Sequence, residues 1–267
     1  MKKICWGTGL LMWLFTSFVQ AAPLRLATTT STDNSGLMRE LLPYFEAKTG
    51  YKVHVIAVGT GQALRLGRDG NVDVVLVHAP KAELQFVEAG YGINRRQVMS
   101  NDFVFVGPKH DPAELRRLRD SVQALQRIAA TQSLFISRGD DSGTHKKERS
   151  LWAKLSQKSD PAWYREAGQG MGRTLQIAGE LDAYTLTDRG TWLVFRKRLP
   201  LELLVEGDPR LHNPYGIIAV NPKRHPHVNH QGALALIDWI TSDEGNHLIR
   251  EFKLEGRPLF VPIETTD

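Results

Sequence analysis

The sequence predicts an α/β protein with two lobes, joined by a hinge, that enclose a cleft. Three observations support this fold class. Short apolar strands alternate with amphipathic helices, which indicates parallel sheets with helices packed on their faces. Small hydroxyl and glycine residues follow several strands and open the next helix. Two later strands, "NDFVFVGP" and "YGIIAVNP", are suited to carry the chain from one lobe to the other and back.

The first residues have the features of a secretory signal peptide. Lys2 and Lys3 precede the apolar run "GLLMWLFTSFV", and small residues after it suit a signal peptidase. The run is shorter than the ~20 residues of a membrane-spanning helix, so an uncleaved anchor is the less favoured alternative. We therefore expect a signal peptide over residues 1–21 and a periplasmic protein. Cys5 is the only cysteine and lies in this segment, so we expect neither a disulfide nor a cysteine-ligated metal.

The formal charge of +5 falls to +3 without Lys2 and Lys3 of the signal peptide (5 − 2), and the remaining basic residues are scattered. The segments "ELRRLRD" and "FRKRLP" interleave arginines with apolar residues at helical spacing, which is typical of solvated helix faces. We therefore expect no nucleic-acid partner. A mildly basic field would still help to steer a small anion towards the protein.

Residues 22–104 are expected to form the first part of lobe I. Strands are predicted at "LRLA", "VHVIAV" and "VDVVLVHA". The third is continuously apolar, which indicates a strand buried on both faces. Helices are predicted at "SGLMRELLPYF", "GTGQALRLG" and "AELQFVEAGYG". In the first of these helices, Leu37, Leu41 and Phe45 lie on one face.

Residues 105–216 are expected to form lobe II, which the chain enters through "NDFVFVGP". The predicted elements are, in order, the helix "AELRRLRDSVQALQRIA", the strand "SLFIS", the turn and helix of "SRGDDSGTHKKE", and the strands "YTLT" and "ELLVEG". Residues 217–267 are expected to return to lobe I, where "GALALIDWITSDEGNHLIREF" predicts two helices. The second of these should begin at a capping box formed by Thr241 and Glu244.

Four turns carry the residues of a candidate anion site. They are "LATTTSTDNSGL", "VGTGQAL", "SRGDDSGTHKKE" and "AGQGMGRTL", and each opens a helix. A helix start offers unpaired N–H groups and the positive end of the helix dipole, which suits an anion. In a single turn, serines and threonines are more often caps of their own helix. Several such turns converging on one cleft favour a ligand instead.

Arg138 is the strong cation that these turns present ahead of their helices. Its guanidinium can bind two oxygens of a tetrahedral oxyanion, and Asp140 is placed to pair with it and orient it. We expect Asp141 to cap the helix that follows. Further hydroxyl and N–H donors at this helix start belong to Ser142, Gly143 and Thr144.

Taken together, these segments resemble the periplasmic tungstate-binding proteins of ABC importers. The resemblance rests on "LATTTSTDNSGL", "VGTGQAL", "VDVVLVHAP", "NDFVFVGP", "SRGDDSGTHKKE", "GQGMGRTL" and "AYTLTDRGTW". It runs from Leu24 to the C-terminus and implies the type II periplasmic-binding-protein fold, a bare oxyanion ligand and no catalysis. It also implies a monomer without cofactor or bound metal, whose partners are a membrane permease and its cytoplasmic ATPase.

Residue by residue, the resemblance implies an oxyanion site built from several helix starts. Its expected members are Thr30 and Ser31, Thr60 and Gly61, Arg138 with Ser142, Gly143 and Thr144, a backbone N–H of Met171 or Gly172, and Thr187, with Asp140 in support. The core of "SRGDDSGTHKKE" also resembles the anion loop of periplasmic phosphate-binding proteins. A phosphate-binding protein of the same fold therefore stays open, as does a preference for molybdate.

A hydrolase is a remote alternative that uses the same turn. Ser142, His145 and either Asp140 or Asp141 are close in sequence. However, "DDSGT" is not the strained elbow on which a nucleophilic serine usually sits, and triad members normally come from separate loops.

Two further alternatives rest on weaker features. His225, His227 and His230 could bind a metal, but Pro226 and the lack of a carboxylate among them favour a polar surface turn. A regulatory effector domain of the same fold is disfavoured by the signal peptide and by the lack of a helix-turn-helix segment.

Overall fold

The computed structural model describes residues 23–155 and 162–263, and its strands and helices confirm the predicted α/β class. The predicted signal peptide lies outside the described residues. Within the described residues, no helix combines the length and the apolar character needed to cross a membrane.

The N-terminal part forms a parallel sheet whose strands are each followed by helices. The strands β1 (Leu24–Thr29), β2 (Val53–Val58) and β3 (Val74–Val77) are ordered β2, β1, β3. The helices are α1 (Thr30–Ser35), α2 (Leu37–Thr49), α3 (Thr60–Arg68) and α4 (Pro80–Glu88). Every residue of β3 is buried, which agrees with its continuous apolar sequence. The carboxyl ends of β1 and β2 therefore lead directly into α1 and α3.

The strand β4 (Gly92–Pro108) is one element of 17 residues, much longer than the predicted "NDFVFVGP". Its first part pairs with β9 (His212–Val220), and its last part pairs with β7 (Thr185–Asp188) and β8 (Leu201–Val205). The register shifts twice in the first part. Such irregularities interrupt the alternation of apolar and polar residues by which a strand is recognised.

Between β4 and β9, the described residues add six further elements. They are α5 (Ser121–Ala130), β5 (Phe135–Ser137), α6 (Gly143–Trp152), β6 (Tyr164–Glu166), α7 (Met171–Glu180) and α8 (Arg189–Phe195). The helix predicted from Ala113 begins only at Ser121. Asp120 is its N-cap and accepts hydrogen bonds from the backbone of Val122 and Gln123. The preceding arginine-rich segment forms turns, because Asp111 accepts from two backbone N–H groups there.

The C-terminal part contains α9 (His230–Ile240), α10 (Asp243–Glu251) and three two-residue strands, β10 (Lys253–Leu254), β11 (Arg257–Pro258) and β12 (Val261–Pro262). The predicted capping box is wrong by one residue. Ser242 caps α10 by accepting from Gly245 N at 3.3 Å. The Thr241 hydroxyl instead donates to the Ile237 carbonyl at the end of α9, and Glu244 pairs with Lys48.

Buried apolar side chains form separate clusters on the two sides of the β4 crossing. The largest cluster contains Phe45 and Trp239 and draws on α2, β3, β9 and α9. Two other clusters, with Phe135 and Trp192 among their members, fill the space around β5, α7 and β7. This distribution is compatible with two lobes. The lobe boundaries at residues 22–104, 105–216 and 217–267 stay a prediction.

Candidate functional site

The turn that follows β5 is called here the anion turn and comprises residues 138–144. It lies directly against the start of α3. Gly143 N donates to Thr60 Oγ1 at 3.1 Å, and both residues are buried. A Cβ added at Gly61 would lie 2.5 Å from Asp141 Oδ2, so a side chain there would displace the Asp141 carboxylate. The structure therefore brings two of the four predicted turns into contact.

Arg138 is almost completely buried within the anion turn. Its guanidinium donates to Asp140 Oδ2 through Nε, at 3.2 Å, and through Nη2. Asp140 Oδ1 also accepts from Ser142 N at 3.2 Å. The predicted pairing of Arg138 with Asp140 is confirmed. Asp140 fixes the guanidinium relative to the helix start, because one carboxylate contacts both.

The prediction that Asp141 caps α6 is wrong. Ser142 is the N-cap, and its Oγ accepts from His145 N at 3.2 Å. Asp141 has a left-handed backbone, with φ of 58°, and its carboxylate pairs with Lys146. Since Ser142 occupies the capping position, the Asp141 side chain extends sideways towards Gly61 and Lys146 instead.

Thr144 supplies a hydroxyl that has no partner among the described residues. The residue is 1% exposed, and its Oγ1 makes no hydrogen bond to any described residue. An unpaired buried hydroxyl costs about 1–3 kcal/mol, so native structures rarely leave one without a reason. A hydroxyl at the start of a helix, in the same turn as a buried arginine, is well suited to donate to a bound oxyanion.

The helices α3 and α7 begin without a side-chain cap from any described residue. Gly59 precedes α3 and Gly170 precedes α7, and both have extended backbone conformations. The first N–H groups of each helix, including that of Met171, are therefore not occupied by a capping side chain. Gly172 follows Met171, and a Cβ there would lie 2.5 Å from Phe195 Cζ. Close packing against α8 thus fixes the start of α7.

The remaining predicted residues lie at two other strand ends. Thr30 and Ser31 begin α1, but Thr29 is its cap and accepts from Thr32 N. Ser31 is buried. Thr187 is also buried, and its hydroxyl donates to the Asp188 carbonyl at 3.2 Å, so its side chain already has a partner.

Sequence reasoning missed His78, which lies at the end of β3 and packs under the anion turn. A Cβ added at Gly143 would lie 2.7 Å from His78 Cε1. The ring also packs against the Tyr215 ring, with the ring centres 4.9 Å apart and the planes tilted by 31°, and Nδ1 forms a 2.9 Å hydrogen bond with Asn213 Oδ1. Burial lowers the pKa of His78, and the nearby Asp188 acts against that shift. The available signal was a polar residue at the carboxyl end of a buried strand, where α/β sheets bind ligands.

Lys147 joins the helix behind the anion turn to the segment that leads into β9. Its Nζ donates to the carbonyls of Arg210 and His212 at 2.9 and 3.0 Å, and it lies 5.7 Å from the centre of the Phe103 ring. Beside it, a cavity of about 580 Å³ opens between α4 and α6. Lys81 and Lys146 also line this cavity, so its field is basic.

The geometry does not support the two catalytic or metal-binding alternatives. Ser142 Oγ accepts from the His145 backbone, and His145 Nδ1 accepts from Asp141 N at 3.1 Å, so serine and imidazole are not paired as in a hydrolase. His225 and His227 bond to backbone carbonyls at the end of α3. Within the described residues, no three metal-ligating side chains form a group that could hold a metal ion.

Comparisons with known proteins identify the family. A family model described as a PBP superfamily domain matches residues 19–244. The chain belongs to the PBP superfamily. Within this superfamily, the tungstate-binding protein TupA of Peptoclostridium acidaminophilum is 49% identical to it over 241 residues, which cover 89% of this chain and 84% of the relative.

Two solved structures support the same assignment to the PBP superfamily. The tungstate ABC transporter structure from Geobacter sulfurreducens has a TM-score of 0.81 and 52% identity, and covers 86% of this chain and 98% of that chain. The tungstate-binding protein TupA from Desulfovibrio alaskensis G20 has a TM-score of 0.79 and 47% identity, covering 91% and 99%. The predicted type II fold is confirmed. The names of these relatives are those of tungstate-binding proteins and, for one structure, of a tungstate ABC transporter, which agrees with a solute-binding protein rather than an enzyme.

Proposed function

We propose that this chain is an extracytoplasmic solute-binding protein that captures tungstate, and also molybdate, in the cleft and delivers it to an ABC permease. The observation that carries this proposal is the buried hydroxyl of Thr144, which has no partner among the described residues and lies in the same turn as the buried Arg138 with its partner Asp140. The names of the relatives support tungstate as the ligand.

In this proposal, the oxyanion is bound by donors from several turns. Arg138 contributes charge and two N–H groups, and Thr144 contributes its hydroxyl. The uncapped starts of α3 and α7 contribute backbone N–H groups with the positive ends of two helix dipoles. The proposed set is Thr30, Ser31, Thr60, Gly61, Arg138, Ser142, Gly143, Thr144, Met171, Gly172 and Thr187, with Asp140 orienting Arg138.

This donor set favours an anion without protons. Near neutral pH, phosphate keeps at least one proton and needs an acceptor, whereas tungstate and molybdate need none. The two carboxylates of the anion turn are already engaged, Asp140 with Arg138 and Asp141 with Lys146. A ligand proton left without an acceptor, or a carboxylate forced against an anion oxygen, costs about 1–3 kcal/mol. Sulfate has shorter bonds to oxygen, and its oxygens would not reach donors spaced for a larger tetrahedron.

We further propose that the protein works as a monomer whose two lobes close around the anion. The closed shape would be recognised by the permease, which its cytoplasmic ATPase drives. This role requires export, in agreement with the signal peptide expected over residues 1–21. A protein exported in this way meets the anion outside the cytoplasm.

Arg138→Ala tests the proposed function most simply. Hydrogen bonds to charged groups contribute about 1.5–3 kcal/mol each, so losing both should weaken tungstate binding about a hundredfold or more. Arg173→Ala is the matched control, because Arg173 is exposed on α7 and bonds to Gln176. Isothermal titration calorimetry measures the tungstate affinity of both variants, each prepared without the signal peptide. Wild-type affinity in Arg138→Ala would contradict the site, and the absence of tungstate binding by the wild type would contradict the function.

A further inference from the structure

We infer that His145 is a positioning residue of the anion turn, whose neutral ring holds the turn in its binding conformation and whose protonation releases it. This inference rests on the proposed function, because it concerns the affinity of the same site. His145 is the third residue of α6 and directly follows Thr144. Its ring reaches back to Asp141 in the turn.

The hydrogen bond at this ring fixes its protonation state. Asp141 N lies 3.1 Å from His145 Nδ1. A backbone N–H can only donate, so Nδ1 must present its lone pair, and the proton of the neutral ring is on Nε2. That Nε2 is buried and makes no hydrogen bond to any described residue. The ring therefore acts here as an acceptor for one particular amide.

The amide that it holds belongs to a strained part of the turn. Gly139 and Asp141 both have left-handed backbones, with φ of 61° and 58°. For a residue with a side chain, this conformation is disfavoured and persists where neighbouring groups hold it. Asp141 separates Asp140, which orients Arg138, from Ser142, which caps α6. A change at the Asp141 peptide would thus disturb both parts of the proposed site.

Protonation removes this support. An imidazolium carries a proton on each nitrogen, so Nδ1–H would face the Asp141 N–H, and two donors repel. The charged groups around the ring are Glu166 on β6, whose Oε1 is 3.8 Å from Nε2, Arg149 on α6, and Asp140 and Asp141 in the turn. Burial lowers the pKa of His145, and Glu166 acts in the opposite direction. The ring is consequently neutral at neutral pH and becomes charged only in acid.

Three proteins test this inference: the wild type, His145→Asn and His145→Leu. The asparagine Oδ1 can accept from the Asp141 amide but does not titrate, whereas leucine has similar bulk and no acceptor. Tungstate binding is measured by calorimetry at about pH 8 and about pH 5. Losing one hydrogen bond and the turn it holds should weaken binding about tenfold. We expect the wild type to show this loss only at about pH 5. His145→Leu should show it at both pH values, and His145→Asn should show it at neither.

The comparison is made between variants at each pH, so the acid chemistry of tungstate itself cancels. If His145→Asn and the wild type lose the same affinity in acid, the inference is overturned while the proposed function stands. If the wild type does not bind tungstate at about pH 8, the proposed function fails instead.

A second measurement uses the wild type alone and does not depend on how a variant folds. If protonation weakens anion binding, bound anion must equally disfavour protonation. An NMR titration of the His145 ring should therefore give a lower pKa with saturating tungstate than without it. Direct attraction between the anion and an imidazolium would raise the pKa instead, and that result would overturn the inference.

Discussion

Replacing Thr144 by valine should make the ligand-free protein more stable and its ligand binding weaker. Valine has nearly the shape of threonine but lacks the hydroxyl. In the protein without ligand, that hydroxyl is buried without a partner among the described residues, so its removal relieves a desolvation cost. In the complex, the same hydroxyl would donate to the anion, so its removal deletes a hydrogen bond to a charged group.

Both changes can be given a magnitude. An unsatisfied buried hydroxyl costs about 1–3 kcal/mol, so Thr144→Val should raise the free energy of unfolding by about 1 kcal/mol or more. A hydrogen bond to a charged group contributes about 1.5–3 kcal/mol, which predicts tungstate affinity lower by about ten- to a hundredfold. Opposite signs for stability and affinity would identify a group whose partner is the ligand.

Thr185→Val provides the matched control. Thr185 is as deeply buried as Thr144, but its hydroxyl donates to the Ile136 carbonyl at 2.7 Å. Its replacement should lower the free energy of unfolding by about 1 kcal/mol and leave tungstate binding unchanged. Urea unfolding without ligand measures stability, and calorimetry measures affinity. A Thr144→Val protein that is less stable and binds tungstate normally would refute the reasoning, since its hydroxyl would then have a structural role only.

Two further predictions concern pH and shape. Burial raises the pKa of Glu148, which accepts from Tyr164 Oη at 2.7 Å, to about 7. The unfolded chain ionises this carboxyl at a lower pH than the folded protein does. The contribution of Glu148 to stability is therefore fully present in acid, below the unfolded pKa, and falls by about 3 kcal/mol as the pH rises to 7. Urea unfolding of the wild type and of Glu148→Gln across that range should differ by this slope. For shape, small-angle scattering should give a smaller radius of gyration with saturating tungstate, and an unchanged radius would contradict closure of the lobes.

The regular strands and helices of the N-terminal part could be predicted because their apolar residues follow one period without interruption. The first half of β4 could not, because its register shifts break the alternation around Asn94, a residue with positive φ. The start of α5 was misplaced for a related reason. The segment before it has helical spacing, but Asp111 and Asp120 accept from its backbone and favour turns instead.

At the site, sequence patterns indicated which turns carry donors but not how each side chain is used. The pairing of Arg138 with Asp140 followed from two residues in one turn and complementary charge. The roles of Asp141 and Ser142 depend on which of them is the N-cap of α6. The left-handed backbone of Asp141 places Ser142 there, and two adjacent polar residues in a sequence do not reveal this. His78 comes from β3, far away in sequence, and reaches the anion turn only through the tertiary fold.

A competition titration tests the central claim most directly, namely that this cleft binds a bare tetrahedral dianion. Tungstate is bound first, and molybdate, sulfate or phosphate is then added at comparable concentration near neutral pH. We predict that molybdate binds with the same affinity as tungstate or more weakly. We predict that sulfate and phosphate do not displace tungstate. Displacement by phosphate at comparable concentration would contradict the account and would make the chain a phosphate-binding protein of the same fold.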